Sequence, residues 1–154
     1  MAAWMVRYNA AHRRAEDEVL PLAERPAAGP ARLVVAYTAL RWGTLLDPAY
    51  APPGEAPLSA SEAYRFVLAQ PAVSLCLAGP RDERELDAAL DALALGPLDA
   101  AGLTRARRIG DAAYTQGRAR PPAGPREYLR ALPALARDLW RHGITEHLVS
   151  RFNR

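Results

Sequence analysis

The stretch LVVAY at residues 33–37 decides the fold of this chain, because it is apolar throughout and rich in the residue types that strands prefer. Short apolar runs bounded by turn-forming residues are typical of strands buried on both faces, as in a parallel sheet. Two further runs resemble it, WMVRY at residues 4–8 and AVSLCL at residues 72–77. We therefore predict three strands, at residues 4–9, 32–38 and 72–78.

A helical pattern follows each of the three runs. The first spans residues 15–24 and begins with acidic side chains, as a first helical turn prefers. The second spans residues 59–70, where Ser59 and Glu62 have the spacing of a capping box. The third spans residues 82–95 and has Asp82 as its expected N-cap. This alternation predicts a parallel sheet in sequential strand order with helices on one side, whereas a closed barrel of this class needs eight such units.

The remainder of the chain is predicted to be helical and interrupted by a Pro- and Gly-rich linker. The expected segments are a helix at 99–114, the linker at 116–125, a helix at 126–142 and a short terminal helix or tail at 144–152. We accordingly divide the chain into an α/β part, residues 1–114, and a linker with a C-terminal helical tail, residues 115–154.

Composition excludes several kinds of chemistry. The net charge is only +3, and all twenty basic residues are Arg, so no mechanism can use a lysine of this sequence, a Schiff base included. The single Cys76 cannot form an internal disulfide or a multi-thiolate metal site. His142 and His147 are spaced wrongly for two ligands on one helical face, and we predict no metal site. Without a long apolar stretch, the expected location is cytoplasmic and no membrane partner is expected.

Three stretches together carry a resemblance to a known family. They are RYN at residues 7–9, VVAYTALRWGTLL at 34–46 and VSLCLAGPRDERELDAAL at 73–90. In this order and spacing they resemble the sixth, seventh and eighth strands of aldo-keto reductases. The resemblance covers roughly residues 4–114. It implies an α/β fold that is a partial TIM-type (β/α) barrel, with about three parallel βα units followed by the C-terminal helical tail.

The resemblance also implies a site for NADP(H) at the exits of the second and third strands. Arg81 follows a strand and precedes a helix, where a phosphate can meet helix N–H groups and a guanidinium fork. The family places a nicotinamide-stacking aromatic at Tyr37 and the pyrophosphate loop just after it. The implied cofactor-binding residues are Tyr37, Thr38, Leu40, Gly43, Gly79, Pro80, Arg81 and Glu85. Two plainer alternatives remain: Arg81 pairs with Glu85 one turn later, and Tyr37 is a core tyrosine.

Departures from the family pattern predict a weak or incomplete cofactor site. Met5 stands where the family has a carboxamide for the nicotinamide, and Glu85 and Ala89 stand where it has the Gln and Asn that hold the adenine. The family's catalytic Tyr, Lys, Asp and His come from the first half of the barrel. We therefore predict no catalytic residue in this sequence.

Three hypotheses for the function follow. The first is an aldo-keto reductase-like oxidoreductase fragment that holds NADP(H) and becomes catalytic only if another chain supplies the first half. The second is a non-catalytic remnant or interaction module that self-associates through its open sheet edges. Its inner side chains, among them Val34, Ala36, Val73 and Leu75 or their neighbours, are expected to face water in the isolated chain. The third, nucleic-acid binding, is the least supported because acidic residues are interleaved and no recognition motif is present. It would use Arg105, Arg107, Arg108, Arg118 and Arg120.

Overall fold

The computed structural model describes residues 2–24 and 32–119. Within them, the strands are β1 (Ala2–Arg7), β2 (Arg32–Tyr37) and β3 (Leu75–Cys76). The helices are α1 (Ala15–Glu18), α2 (Leu20–Glu24), α3 (Ala60–Leu68), α4 (Glu83–Ala94) and α5 (Ala100–Ala119). Two short 3₁₀ turns lie between β2 and α3, at Thr44–Leu46 and Pro48–Tyr50.

The three strands form one parallel sheet in the order β1-β2-β3, which confirms the predicted topology. Met5 lies opposite Val35, and Val35 lies opposite Leu75. The regular part of β3 is much shorter than predicted, because the Ser74 hydroxyl accepts the hydrogen bond from the Val34 N–H and interrupts the ladder. Beyond β3, the Leu77 N–H still donates to the Ala36 carbonyl over 2.9 Å, so the chain follows β2 to its end.

The predicted beginnings of α3 and α4 are confirmed, because each has the capping side chain that the sequence indicated. The Ser59 hydroxyl accepts from the Glu62 N–H, and the Glu62 carboxylate accepts from the Ser59 N–H, which completes the capping box of α3. Asp82 caps α4 by accepting from the Glu85 N–H over 2.8 Å.

Two helix predictions were wrong in extent. The helix predicted over residues 15–24 is divided at Val19, because Pro21 has no N–H to continue the first helix and fits in the first turn of a new one. At the other end, α5 continues to Ala119 and includes the beginning of the predicted linker. The segments predicted at 126–142 and 144–152 lie outside the described residues, and the division at residues 114 and 115 stays a prediction.

The core lies between one side of the sheet and the helices. Val34 and Ala36 of the central strand are fully buried there, and Val73 is buried as well. They pack in one cluster with residues of β1, α3 and α5, among them Val6, Phe66, Val67, Ala106 and Ile109. The expectation that Val34 and Ala36 themselves would face the open side was wrong, because alternate residues of a strand point to opposite faces and these two point toward the helices, while their neighbour Val35 lies on the other side. Val73 is buried too, but it precedes β3, so the alternation of that strand does not apply to it.

The other side of the sheet is open within the described part of the chain. We call it the open face and define it by Met5, Arg7, Val35, Tyr37, Leu75 and Leu77. Met5 is 64% exposed, Leu75 50% and Leu77 48%, so the expectation for Leu75 is confirmed. A closed barrel would bury such side chains in its interior.

Ion pairs attach α5 to the rest of the fold. The carboxylates of Glu62, Glu16 and Glu55 accept from Arg105, Arg107 and Arg108 respectively. Glu16 also accepts the Tyr8 hydroxyl hydrogen over 2.7 Å. Three arginines of the alternative nucleic-acid surface, Arg105, Arg107 and Arg108, are therefore engaged by carboxylates of the fold. The expectation of no nucleic-acid partner stays a prediction.

Gly110 sets the close approach of α5 to the segment after β1. A Cβ atom at Gly110 would lie 2.1 Å from the Ala10 carbonyl oxygen and 2.9 Å from the Ala11 nitrogen, and backbone atoms cannot move aside cheaply. By contrast, a Cβ at Gly102 on the same helix would meet side-chain atoms of Asp99 and Leu98 at 3.1 Å or more.

We expect Gly110→Ala to lower the free energy of unfolding by about 2 kcal/mol or more, because the steric cost exceeds the roughly 1 kcal/mol that alanine gains in a helix. Urea unfolding measures the change. Gly102→Ala is the control, and its free energy of unfolding should be close to that of the parent protein. An unchanged midpoint for Gly110→Ala would contradict this account of how α5 packs.

Candidate functional site

The loop that follows β2 has an unusual backbone. Thr38, Arg41 and Trp42 have φ angles of 60°, 50° and 53°, and they are the non-glycine residues with positive φ among those described. Gly43 follows with φ 83°, which costs glycine little. Left-handed conformations are unfavourable for residues with a Cβ and are found most often at functional sites. The strain is thus concentrated in the segment that the resemblance assigns to the cofactor.

Asn9 holds this loop in place, a role that the sequence analysis did not assign. Its side chain is buried, and its amide nitrogen donates to the Thr38 carbonyl over 2.9 Å. Its amide oxygen accepts from the N–H groups of Ala11 and His12, at 3.0 and 2.9 Å. One side chain therefore joins the segment after β1 to the segment after β2. The sequence signal that could have indicated it is an asparagine at the end of the predicted first strand.

A pocket of about 350 Å³ lies where the exits of β2 and β3 meet the beginnings of α3 and α4. It is lined by Leu40, Leu46, Ala60, Tyr64, Gly79, Pro80, Arg81, Arg84, Glu85 and Ala88. Five of the eight predicted cofactor-binding residues are among them: Leu40, Gly79, Pro80, Arg81 and Glu85. We call this cavity the strand-exit pocket. Residues from two separate parts of the sequence are thus brought to one concave surface.

The other three predicted residues do not line the strand-exit pocket. Tyr37 is half-buried at the end of β2, on the open face and opposite Arg7. Thr38 and Gly43 belong to the strained loop, where the Thr38 hydroxyl donates to the Tyr37 carbonyl. They are near the pocket along the chain, but the structure does not place them in its wall.

Arg81 is held by the chain's own carboxylate. Glu85 accepts from the Arg81 backbone N–H and from Nε, both at 2.9 Å, and from Nη2. This interaction lowers the pKa of Glu85 below its usual range, so the carboxylate stays charged at neutral pH. The plainer interpretation of Arg81, a pair with Glu85 one turn later, is confirmed. Arg81 also lines the strand-exit pocket, and its contact with a phosphate stays a prediction. A phosphate would have to displace Glu85 to receive the full guanidinium fork.

Gly79 leaves room at this site. A Cβ at Gly79 would meet no atom within 4 Å, so the packing of the chain does not require glycine there. A substitution at Gly79 can therefore be used to block the pocket without disturbing the core.

Other reactive groups in the described part of the chain do not form a competing site. Burial raises the pKa of the Cys76 thiol to about 11, so it is not a thiolate nucleophile at neutral pH. Among the described residues, no three His, Cys, Asp or Glu side chains come together as metal ligands would. The described helices also include none with the length and apolar character of a membrane span.

We expect Trp42→Gly to be more stable than Trp42→Ala by about 1 kcal/mol, because only glycine is free of strain at this φ angle. Both variants lose the exposed indole, so the comparison isolates the backbone. At an ordinary position glycine is the less stable choice, and Ala49→Gly serves as that control. Thermal or urea unfolding measures which of the two variants is more stable. If Trp42→Ala is more stable than Trp42→Gly, the loop is not strained at position 42.

Comparison with known proteins shows the fold. No protein-family model matches the sequence, and no curated protein matches it. Two solved structures that it resembles are aldo-keto reductase AKR11C1 from Bacillus halodurans in its holo form and in its apo form. The TM-scores are 0.55 and 0.54, the sequence identities 21% and 19%, and each similarity covers 71% of this chain.

The chain spans less than half of either reductase structure, with 42% of the holo form and 43% of the apo form covered. The expected partial (β/α) barrel is confirmed by this similarity and by the three parallel strands. The described residues therefore have the fold of part of an aldo-keto reductase barrel.

Proposed function

We propose that this chain is the cofactor-binding part of an aldo-keto reductase-like oxidoreductase, and that the strand-exit pocket takes the adenosine 2′-phosphate end of NADP(H). One observation carries the proposal. Residues chosen from two separate strand exits on the basis of the family resemblance line a single pocket. Its volume of about 350 Å³ is at the small end of ligand sites and suits one end of a dinucleotide.

The residues of the pocket divide into two kinds. Leu40, Leu46 and Tyr64 give an apolar wall against which a base could lie. Arg81 and Arg84 give positive charge, and Arg81 is exposed enough to turn toward a phosphate. This combination of apolar lining and a few charged groups is what a nucleotide end requires.

The site is expected to be weak. Glu85 places a negative charge where the phosphate would bind and occupies the donors of Arg81. Ala89 offers no side-chain hydrogen bond to an adenine. On the open face, Met5 is an exposed thioether where the family has a carboxamide. The strained loop counts in favour of a ligand, because left-handed backbone at residues with a Cβ clusters at ligand-binding sites.

Carbonyl reduction by this chain alone is not expected. Bound NADPH would supply a hydride, but a proton donor is also needed. The pKa of Tyr8 is raised by burial and by its hydrogen bond to Glu16, and burial raises that of Tyr64, so both are poorer acids than free tyrosine. The sequence also has no Lys that could lower the pKa of a tyrosine. We therefore propose that another polypeptide supplies the first half of the barrel and the catalytic group, and that the two meet in the cytoplasm.

We expect NADPH to bind more tightly than NADH, and Arg81→Ala to remove most of this preference, because the two cofactors differ by the 2′-phosphate. The loss should be about tenfold or more in NADPH affinity, as for a charge-assisted contact. Calorimetry with both cofactors measures it. Arg32→Gln, which removes a positive charge at the opposite end of β2 from the strand-exit pocket, is the control and should leave the preference intact. An unchanged preference in Arg81→Ala would exclude this phosphate site.

Glu85→Gln should tighten NADPH binding several-fold and change NADH binding less, because it removes the competing negative charge and keeps the shape of the side chain. The same calorimetry applies, and Glu83→Gln is the matched control on the exposed side of α4. If Glu85→Gln weakens NADPH binding, the carboxylate is not a competitor for Arg81 and the phosphate does not bind there.

The second candidate function is a module that associates through its open face. The exposed Met5, Leu75 and Leu77 support it, since an apolar strip on a sheet is costly to leave in water. The same face would accept either a second copy or a first half-barrel, so this candidate and the first share a surface.

We expect the chain to be a dimer or larger in light scattering, and Leu75→Lys to shift it toward the monomer, because a charge on the open face, at its edge strand β3, opposes burial. Leu93→Lys is the control, since Leu93 is 68% exposed on α4, away from the sheet. A parent chain that is already monomeric, without dye-binding apolar surface, would contradict the second candidate.

A further inference from the structure

A second, larger pocket lies beside the end of β1 and shares no lining residue with the strand-exit pocket. It has a volume of about 500 Å³ and lies between the segment after β1 and the second half of α5. We call it the basic pocket and define it by its lining residues: Arg7, Ala11, His12, Arg13, Arg14, Asp111 and Tyr114. Three of these are arginines and one is a carboxylate, so positive charge is in excess.

Two of the three arginines are already paired. Arg13 donates to the Asp111 carboxylate over 2.7 Å, and Arg14 donates to the Glu18 carboxylate over 2.7 Å. Arg7 has no carboxylate partner among the described residues. Its guanidinium instead lies over the ring of Trp42, 5.0 Å from the centroid. Stacking of this kind fixes the plane of a guanidinium and leaves its N–H edge free for an oxyanion.

Arg41 adds a second positive charge next to the pocket. Its Nη1 donates to the Ala113 carbonyl of α5, and no carboxylate pairs with it in the described part of the chain. Burial lowers the pKa of Arg41, and the nearby charge of Arg7 lowers it further. Two guanidinium groups close enough to repel one another, and lacking a common anion, are unfavourable together unless an anion joins them.

His12 also lines the basic pocket, and its pKa reflects the positive charge around it. Burial, and then the charges of Arg7 and Arg41, lower its pKa to about 4. Its Nδ1 is 3.4 Å from the Asn9 amide oxygen, and its ring meets that of Tyr114 edge to face at 5.4 Å. The imidazole is therefore neutral at pH 7, and the excess charge of the pocket comes from the arginines.

We propose that the basic pocket is a binding site for a doubly charged oxyanion, of which a phosphate monoester group is the common biological form. Arg7 supplies a bidentate contact, and Arg13 supplies a second contact that it shares with Asp111. Arg41, which does not line the pocket, adds positive charge nearby. Two uncompensated guanidinium groups favour a dianion over a single carboxylate. This site lies outside the proposed cofactor pocket, and its existence does not depend on NADP(H) binding.

The test is a titration of the full chain with inorganic phosphate at pH 8, followed through the imidazole signals of His12 by nuclear magnetic resonance. The His12→Asn variant identifies those signals among the three histidines. Sulfate and acetate are the comparison ligands, one doubly and one singly charged. We expect saturable shifts with phosphate and sulfate, weaker ones with acetate, and a higher pKa of His12 when the site is filled, because an anion stabilises the imidazolium.

Arg7→Gln should weaken phosphate binding about tenfold or more, and Arg7→Lys, which keeps the charge but loses the fork, should weaken it less. Arg84→Gln removes an equal charge at the strand-exit pocket and should leave the His12 titration unchanged. Equal losses in Arg7→Gln and Arg84→Gln would show attraction to net charge alone and overturn the site. Acetate binding as tightly as sulfate would overturn the claim that the site prefers a doubly charged anion. An absence of shifts in the His12 signals at tens of millimolar phosphate would overturn the whole proposal.

Discussion

Parallel pairing of β2 with β1 on one side and β3 on the other is the constraint on which both pockets depend. In a parallel sheet the carboxyl ends of all strands meet at one edge, and ligands of open α/β sheets bind there. The exits of β2 and β3 form the strand-exit pocket, and the exit of β1 forms the basic pocket. Burial of Val34 and Ala36 against the helices fixes this arrangement, because a shift of one residue would turn them to the open face.

Most of the fold could be predicted from the sequence, since the signals that specify it are local. The capping box at Ser59, the N-cap at Asp82 and the alternation of apolar runs with helical patterns each act over a few residues. The burial of Val34 and Ala36 could not be predicted, because an all-apolar strand gives no alternation from which to choose the helix-facing side. The break at Val19 was missed although Pro21 is visible in the sequence, because proline is also tolerated in a first helical turn.

The candidate site was predictable only in part, and for a physical reason. A resemblance names residue types along strands, and it correctly indicated residues that the fold brings together, such as Leu40 and Arg81. The helical spacing indicated that Arg81 could pair with Glu85, but it could not show that Glu85 accepts three hydrogen bonds from Arg81, since that depends on rotamers. Nor could it show the strain of the loop at Thr38 and its hydrogen bond from Asn9, which arise from tertiary structure. These interactions, rather than the motif, decide how tightly a phosphate can bind.

A structure of the chain with adenosine 2′,5′-bisphosphate tests the central claim most directly, because this ligand carries the 2′-phosphate without the nicotinamide half. The account predicts that the 2′-phosphate contacts Arg81 and that the Glu85 carboxylate has turned away from it. It also predicts that the adenine lies against Leu40 and Tyr64 in the strand-exit pocket. A ligand bound only at Arg7 in the basic pocket, with the Arg81–Glu85 pair intact, would contradict the claim that this chain holds the phosphate end of NADP(H) between the exits of β2 and β3.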